Sequence, residues 1–180
     1  MPQPSVHIPQ APAALALVLQ LLPLVPLSLS LTAYARHVAR HHPSLFRRLG
    51  AYNHTRFVLD PTDLPFVICL DPNGGVPHVT LTRGRSDGAA RIAGPLAALL
   101  GLVHGAFDGD ALFFSRDLVI EGDTSAALAL RNAIDDAELD LSQEITRFSG
   151  PFVAPLQRLF VLIERRSGVS LTRSTEVDAW

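Results

Sequence analysis

The chain has 180 residues, of which 48% are hydrophobic and 18% charged, and its formal net charge is -2. This length favours a single domain with appendages, and the lack of an overall basic charge argues against nucleic acid as the main partner. With one cysteine, Cys69, the chain can form no intrachain disulfide and cannot supply the thiolates of an iron–sulfur cluster.

Residues 13–31 form an apolar segment that approaches the length needed to span a bilayer. Gln20, Pro23 and Pro26 interrupt it, which favours a short apolar helix plus a proline-rich strap lying on a membrane surface, on the domain or on a second copy of the chain. Two alternatives remain. One is a true membrane span. The other is a cleaved signal peptide, because residues 33–35 resemble a cleavage site, although no basic residue precedes the apolar run.

Two helices are predicted before the first strand. Apolar residues between Leu31 and Val38 follow helical spacing, and Pro43 ends that helix because the residue before a proline avoids helical angles. Residues 44–49 add one or two further turns, which Gly50 stops.

Four strands and a helix are predicted next. Phe57 and Leu59 alternate with Arg56 and Val58, and apolar and polar residues alternate at 78–82. Residues 66–70 are continuously apolar, as in a strand covered on both faces. A short strand at 89–93 precedes Gly94-Pro95, which opens a helix whose apolar residues recur at i, i+3, i+4 and i+7.

The second half continues the same mixture of elements. Residues 111–121 predict a strand, and Asp123 or Thr124 is suited to cap the helix that follows. Gly150-Pro151 opens a last amphipathic helix, and a polar tail begins at Ser167. This order of helices and strands indicates an α+β fold.

The polar residues give no catalytic or metal-binding pattern. His37 and His41 share a helix face at zinc-ligand spacing, but no third ligand is evident. Cys69 lies in the most apolar strand, without the electropositive, partly open surroundings that a reactive thiol needs. Ser115 lacks the glycines of a nucleophile elbow, and Asp123 is interpreted as a helix cap.

Four arginines lie next to the apolar segment: Arg36, Arg40, Arg47 and Arg48. Arginines beside an interfacial helix attract anionic lipid headgroups, with about 1 kcal/mol per residue near the surface. We therefore predict that these four residues contact a membrane, and the alternative is an ordinary solvated helix face.

Residues 110–141 resemble a known family. The run Leu112-Phe113-Phe114-Ser115-Arg116-Asp117-Leu118-Val119-Ile120-Glu121-Gly122-Asp123 is similar to the C-terminal half of the sterol-carrier-protein type 2 lipid-binding domain, and most similar to its UbiT branch of accessory factors in anaerobic ubiquinone biosynthesis. The resemblance, which covers roughly residues 45–141, implies a five-stranded sheet whose one face is covered by helices that enclose an apolar lipid cavity. Residues 1–30 are then an apolar N-terminal segment, 31–141 the domain, and 142–180 a C-terminal amphipathic helix with its tail.

The same resemblance implies a lipid-binding accessory protein that is not an enzyme and needs no cofactor or metal. It would hold ubiquinone or its polyprenylated intermediates for ubiquinone-biosynthesis enzymes, in the cytoplasm and peripherally on the inner membrane, as a monomer or a homodimer. A general phospholipid or fatty-acyl carrier, a hydrolase or transferase using the same cavity, and a membrane-anchored scaffold without a ligand are the alternatives. The predicted lipid contacts are apolar residues of the sheet and helices: Phe57, Phe66, Ile68, Leu81, Ile92, Leu96, Leu99, Leu100, Val103, Phe113, Leu118 and Ile120.

Overall fold

The computed structural model describes residues 23–104 and 118–137, which form helices and a five-stranded sheet. The helices are α1 (Leu24–His41), α2 (Pro43–Arg48), α3 (Leu96–His104) and α4 (Thr124–Asp136). The strands are β1 (Phe57–Pro61), β2 (Val67–Asp71), β3 (His78–Thr82), β4 (Ala90–Gly94) and β5 (Val119–Gly122).

The strands lie in the order β3-β2-β1-β4-β5. Neighbouring strands are antiparallel except for β1 and β4, which run parallel with Phe57 opposite Ala90. A parallel pair needs a crossover connection, and here the chain between β1 and β4 forms β2 and β3 before it returns. The two strands nearest the middle of the domain are therefore distant in sequence.

Alternation along the strands gives the sheet two different faces. Phe57 and Leu59 of β1 share one face with Ile92 of β4, and this helix-covered face packs against the helices. Val58 and Asp60 point to the opposite side, which we call the open face. Phe57 is fully buried (0% exposed), and burying a side chain of this size contributes about 1.5–3 kcal/mol.

The first helix begins earlier than its sequence pattern predicted. α1 starts at Leu24 rather than near Leu31, so the described part of the expected proline-rich strap is helical and lies on the domain. Pro26 is accommodated because it falls in the first turn, where backbone N–H groups have no intrahelical partner. No helix within residues 23–104 and 118–137 is both long and apolar enough to cross a membrane.

Most of the other predicted elements are confirmed. β2 is covered on both faces as expected, since Val67 and Cys69 are buried on the open face and Ile68 packs on the helix-covered face. Asp123 caps α4 by accepting hydrogen bonds from the backbone N–H groups of Ser125 at 2.8 Å and Ala126 at 3.1 Å. The first part of the predicted strand 111–121 and the C-terminal helix and tail lie outside the described residues. The proposed domain limits and the apolar lipid cavity enclosed by the helices stay predictions.

Candidate functional site

A single apolar cluster fills the space between the helix-covered face and the helices. Six of the predicted lipid contacts belong to it. Phe57, Ile92, Leu99 and Leu118 are buried, and Leu100 and Ile120 are partly buried and pack against them. Small residues let the helices approach the sheet closely, since Ala97 and Ala98 of α3 are almost fully buried here as well. The structure thus brings these six residues together, and their contact with a lipid stays a prediction.

Three other predicted contacts lie in a separate, smaller cluster. Phe66 and Leu81 pack with Leu27 of α1, and Ile68 is partly buried against them. Leu31 of α1 contacts both clusters and so lies between them. The structure thus divides the predicted contacts into two apolar groups joined by one helix.

The remaining three predicted contacts are less informative. Leu96 is buried at the start of α3, where its backbone N–H donates to Asp63 Oδ1 at 2.8 Å. The side chain of Val103 and the whole of Phe113 lie outside the described residues.

On the helical side of the main cluster, sequence reasoning selected residues of α3 only. Tyr34 and Val38 of α1, Phe46 of α2 and Leu130 of α4 are buried in it beside the strand residues. The helical spacing of the first two was visible in the sequence. However, spacing alone does not tell which strands a helix will cover, so these residues could not be assigned to the site.

The four arginines predicted to contact a membrane differ in their contacts. Arg36 Nε donates to the carbonyl oxygen of Pro77 at 3.2 Å, and Arg40 Nε donates to the carbonyl oxygen of Arg36 at 3.3 Å. Arg47 and Arg48 lie exposed in the last turn of α2. Arg36 is therefore partly a structural residue, because it joins α1 to the chain just before β3.

The outer surface of α1 is apolar at its beginning. Val25 is 71% exposed and Leu29 is 50% exposed. At 100° per residue, these two side chains and those of Arg36 and Arg40 fall within one sector of about 60° on the helix. An exposed apolar patch is thus followed by basic residues along the same helix face.

Charged residues form a network on the open face. Arg91 of β4 donates from Nε to Asp60 Oδ2 at 3.0 Å and from Nη1 to Glu121 Oε2 at 2.5 Å. Arg85 Nη2 lies 3.3 Å from the same oxygen of Glu121. The bond to Asp60, followed by the bond to Glu121, raises the pKa of Arg91, and the bond from Arg91 lowers the pKa of Glu121.

The other polar candidates have structural surroundings. The buried thiol of Cys69 donates to Ser86 Oγ at 3.1 Å, beneath the loop between β3 and β4. The rings of His37 and His41 lie with their centroids 4.2 Å apart. Within the part of the chain that the structure describes, no three His, Cys, Asp or Glu side chains are grouped to hold a metal ion. Ser115 lies outside that part.

Comparison with known proteins identifies the domain. The SCP-2 sterol transfer family model matches residues 36–135. The chain belongs to this family. The match extends over more than half of the chain, from the middle of α1 to the end of α4, and so includes every strand of the sheet.

One solved structure shows the same fold at low sequence identity. The "UbiJ-SCP2 Ubiquinone synthesis protein" is 16% identical, with a TM-score of 0.53 over 65% of this chain and 96% of that chain. A conserved hypothetical protein from Thermus thermophilus, described as possibly a sterol carrier protein, is 19% identical, with a TM-score of 0.44 over 67% of this chain and 87% of that one. Comparison with curated protein sequences gave no match.

Proposed function

We propose that this chain is a lipid-binding accessory protein of the UbiT type. It holds ubiquinone or its polyprenylated intermediates for the enzymes of oxygen-independent ubiquinone biosynthesis, and it is not itself an enzyme. The observation that carries this proposal is the predominantly apolar cluster between the sheet and the helices of an SCP-2 domain. The similarity in fold to UbiJ-SCP2, a ubiquinone synthesis protein, and the resemblance of residues 112–123 to UbiT support the quinone as ligand.

An apolar cluster is chemically sufficient for this task. A polyprenyl chain contributes about 0.8 kcal/mol for each methylene that it buries, so it needs no directional contact to be held. The fully buried Phe57 and Ile92 form the floor of the cluster, while Leu100 and Ile120 are partly exposed at its margin. The chain of a lipid would enter beside these two residues, which are among the predicted contacts and retain accessible surface.

The proposed carrier acts in the cytoplasm, peripherally on the inner membrane. The exposed Val25 and Leu29, followed by arginines on the same helix face, support a membrane-facing α1. Partners in this proposal are the biosynthetic enzymes and the membrane surface, and a second copy of the chain is a further candidate.

Native mass spectrometry of the purified protein tests the lipid. We expect a copurified quinone or prenylated precursor in the wild type. Leu100→Trp adds bulk at the margin of the cluster and should reduce the loaded fraction. The matched control is Leu128→Trp, the same substitution at a position of α4 that is 51% exposed, and it should load normally.

Each alternative function predicts a different result. Copurified phospholipid or fatty acid without quinone would favour a general carrier, and an empty protein that still binds membranes would favour a scaffold. Equal loading of Leu100→Trp and Leu128→Trp would contradict the assignment of the lipid to the helix-covered face.

A further inference from the structure

A cavity on the open face has a composition that the lipid site does not explain. Its volume is about 380 Å³, and it lies beside the ion network, between the segment that enters β2 and the loop that leaves β3. It is lined by four consecutive residues of that segment and by charged residues of the sheet and loop: Asp60, Leu64, Pro65, Phe66, Val67, Gly84, Arg85 and Arg91. This volume lies in the lower part of the range of small-molecule sites, and the cavity is a partly open cleft that both apolar and polar groups line.

The two arginines of the cavity differ in how many of their N–H donors already have a hydrogen-bond partner. Arg91 bonds Asp60 through Nε and Nη2, and Glu121 through Nη1, so each nitrogen of its guanidinium has a carboxylate partner. Arg85 is 77% exposed on its side chain, and within the described residues its one ion pair is the 3.3 Å contact with Glu121. Arg85 therefore retains N–H donors that a ligand in the cavity could use.

The charges of the side chains in the network indicate which chemical class of ligand the cavity can bind. Arg85 and Arg91 are balanced by Asp60 and Glu121, so the four side chains sum to zero. An anion entering here would meet two carboxylates, and a cation would meet two guanidinium groups. A neutral group that accepts hydrogen bonds meets neither penalty, because it can bond Arg85 without displacing Glu121.

The apolar residues that line the cavity indicate that part of the ligand is apolar. Leu64 and Pro65 line the cavity and are partly exposed, whereas the side chain of Phe66 is buried in the smaller apolar cluster with Leu27 and Leu81. Leu64 also packs against that cluster, so it lies between the cavity and the cluster. A ligand with an apolar body can contact Leu64 and Pro65 while its polar oxygen reaches Arg85.

We propose that this cavity binds a neutral, ring-sized carbonyl compound with an apolar body, through hydrogen bonds from Arg85 and contacts with Leu64 and Pro65. The quinone ring of the lipid proposed above has this chemistry, and so has a free ring compound without a tail. The quinone source rests on the proposed function, whereas the site itself does not.

NMR titration of the full chain tests the site. The probe is duroquinone, a neutral ring with two carbonyl oxygens and four methyl groups, whose substituted carbons resist addition of a thiol. We expect chemical-shift changes at the backbone amides of Val67, Gly84 and Arg85. Decylubiquinone is the second probe, and further changes at Leu27 and Leu81 would identify the lipid ring as the source. Changes at the cavity with duroquinone alone would identify a free compound.

Two matched variants separate binding at Arg85 from a general charge effect. Arg85→Met removes the donors but keeps an apolar stem, and we expect it to weaken duroquinone binding about tenfold, the effect of about one hydrogen bond. Arg83→Met removes a charge from the same loop at a position that does not line the cavity, and it should bind as the wild type does.

Three results would overturn the proposal. The first is tighter binding of benzoate than of duroquinone at the same amides, which would mean that the site selects anions. The second is equal weakening by Arg85→Met and Arg83→Met. The third is a set of duroquinone shifts confined to the helix-covered face, for example at Ile92 and Leu99, or no shifts at all. Copurified quinone together with the third result would leave the proposed function standing and reject only this cavity.

Discussion

Thr32 of α1 holds both backbone polar groups of Val79 in β3. Its Oγ1 accepts a hydrogen bond from the Val79 N–H at 3.0 Å and donates one to the Val79 carbonyl oxygen at 2.9 Å. β3 is the outermost strand on this side of the sheet, so these groups have no neighbouring strand to bond. The helix replaces the missing strand with a threonine side chain.

The same arrangement repeats along the helix at intervals of four residues. Ser28 Oγ accepts from the N–H of Leu81 at 2.9 Å, and Arg36 Nε donates to the carbonyl oxygen of Pro77. Four helical residues rise about 6 Å and two strand residues about 6.6 Å, so the two repeats stay in register over this length. An uncovered strand edge invites pairing with other chains, and α1 occupies this one.

The first prediction concerns this contact. Thr32→Val keeps the shape of the side chain but leaves the Val79 N–H and carbonyl groups without a partner in a buried place. We expect a loss of about 1–3 kcal/mol in the free energy of unfolding, because that is the cost of an unsatisfied buried polar group. Urea unfolding followed by circular dichroism measures it.

Thr82→Val is the matched control for that variant. Thr82 Oγ1 is buried too, but it has no hydrogen-bond partner among the described residues. Replacing it by a methyl group removes no bond, so the free energy of unfolding should stay the same or rise. A similar loss in both variants would mean that the hydrogen bonds of Thr32 contribute little.

The second prediction concerns the start of α4. Asp123→Ala removes the oxygen that accepts from Ser125 and Ala126, and the expected cost is about 1 kcal/mol. Asp123→Asn should behave much as the wild type, since asparagine caps helices as well as aspartate does. If Asp123→Asn is as unstable as Asp123→Ala, the contribution is that of the charge and not of the cap.

Local sequence signals predicted the parts of the fold that depend on neighbouring residues. The cap at Asp123 and the left-handed Gly122, with φ of +85°, follow from residue types alone. A side chain at Gly122 would also be blocked, because its Cβ would lie 2.3 Å from the carbonyl oxygen of Ala89. Alternation likewise placed Phe57 and Leu59 on one face of their strand, and that face packs against the helices.

Features that depend on distant residues were not predictable in this way. The parallel pairing of Phe57 with Ala90 joins strands separated by two others in the chain. The start of α1 at Leu24 was missed because its prolines read as helix breakers, although the first turn tolerates them. The separate position of Phe66 and Leu81 follows from the packing of α1 on β3, which no local pattern contains.

The third prediction concerns the dependence of stability on pH. The hydrogen bond from Arg91 lowers the pKa of Glu121 below its usual value of 4.5 in the folded protein. Its stabilising contribution is therefore full above that usual value and is lost as the pH falls through the lower, folded-state pKa. We expect Glu121→Gln to be less stable than the wild type at pH about 6–7.

The difference between these two proteins should shrink as the pH falls below about 4.5. Urea unfolding at a series of pH values measures it, with Arg91→Met as a second variant that removes the partner. A stability difference between wild type and Glu121→Gln that is the same at neutral and acid pH would mean that this ion pair does not titrate as described.

The last prediction concerns the membrane-facing arginines. Arg40→Gln with Arg47→Gln removes two exposed charges beside the apolar patch of Val25 and Leu29, and it spares Arg36, which bonds Pro77. At about 1 kcal/mol for each arginine near an anionic surface, the affinity for phosphatidylglycerol vesicles should fall about thirtyfold. Cosedimentation measures this affinity, and added salt should reduce the affinity of the wild type because it screens charges beyond about 8 Å.

The control is Arg83→Gln with Arg85→Gln, which removes two exposed charges from the loop between β3 and β4 on the open face. If both double variants lose the same affinity, the vesicles sense only the net charge of the protein, and α1 does not form the contact surface.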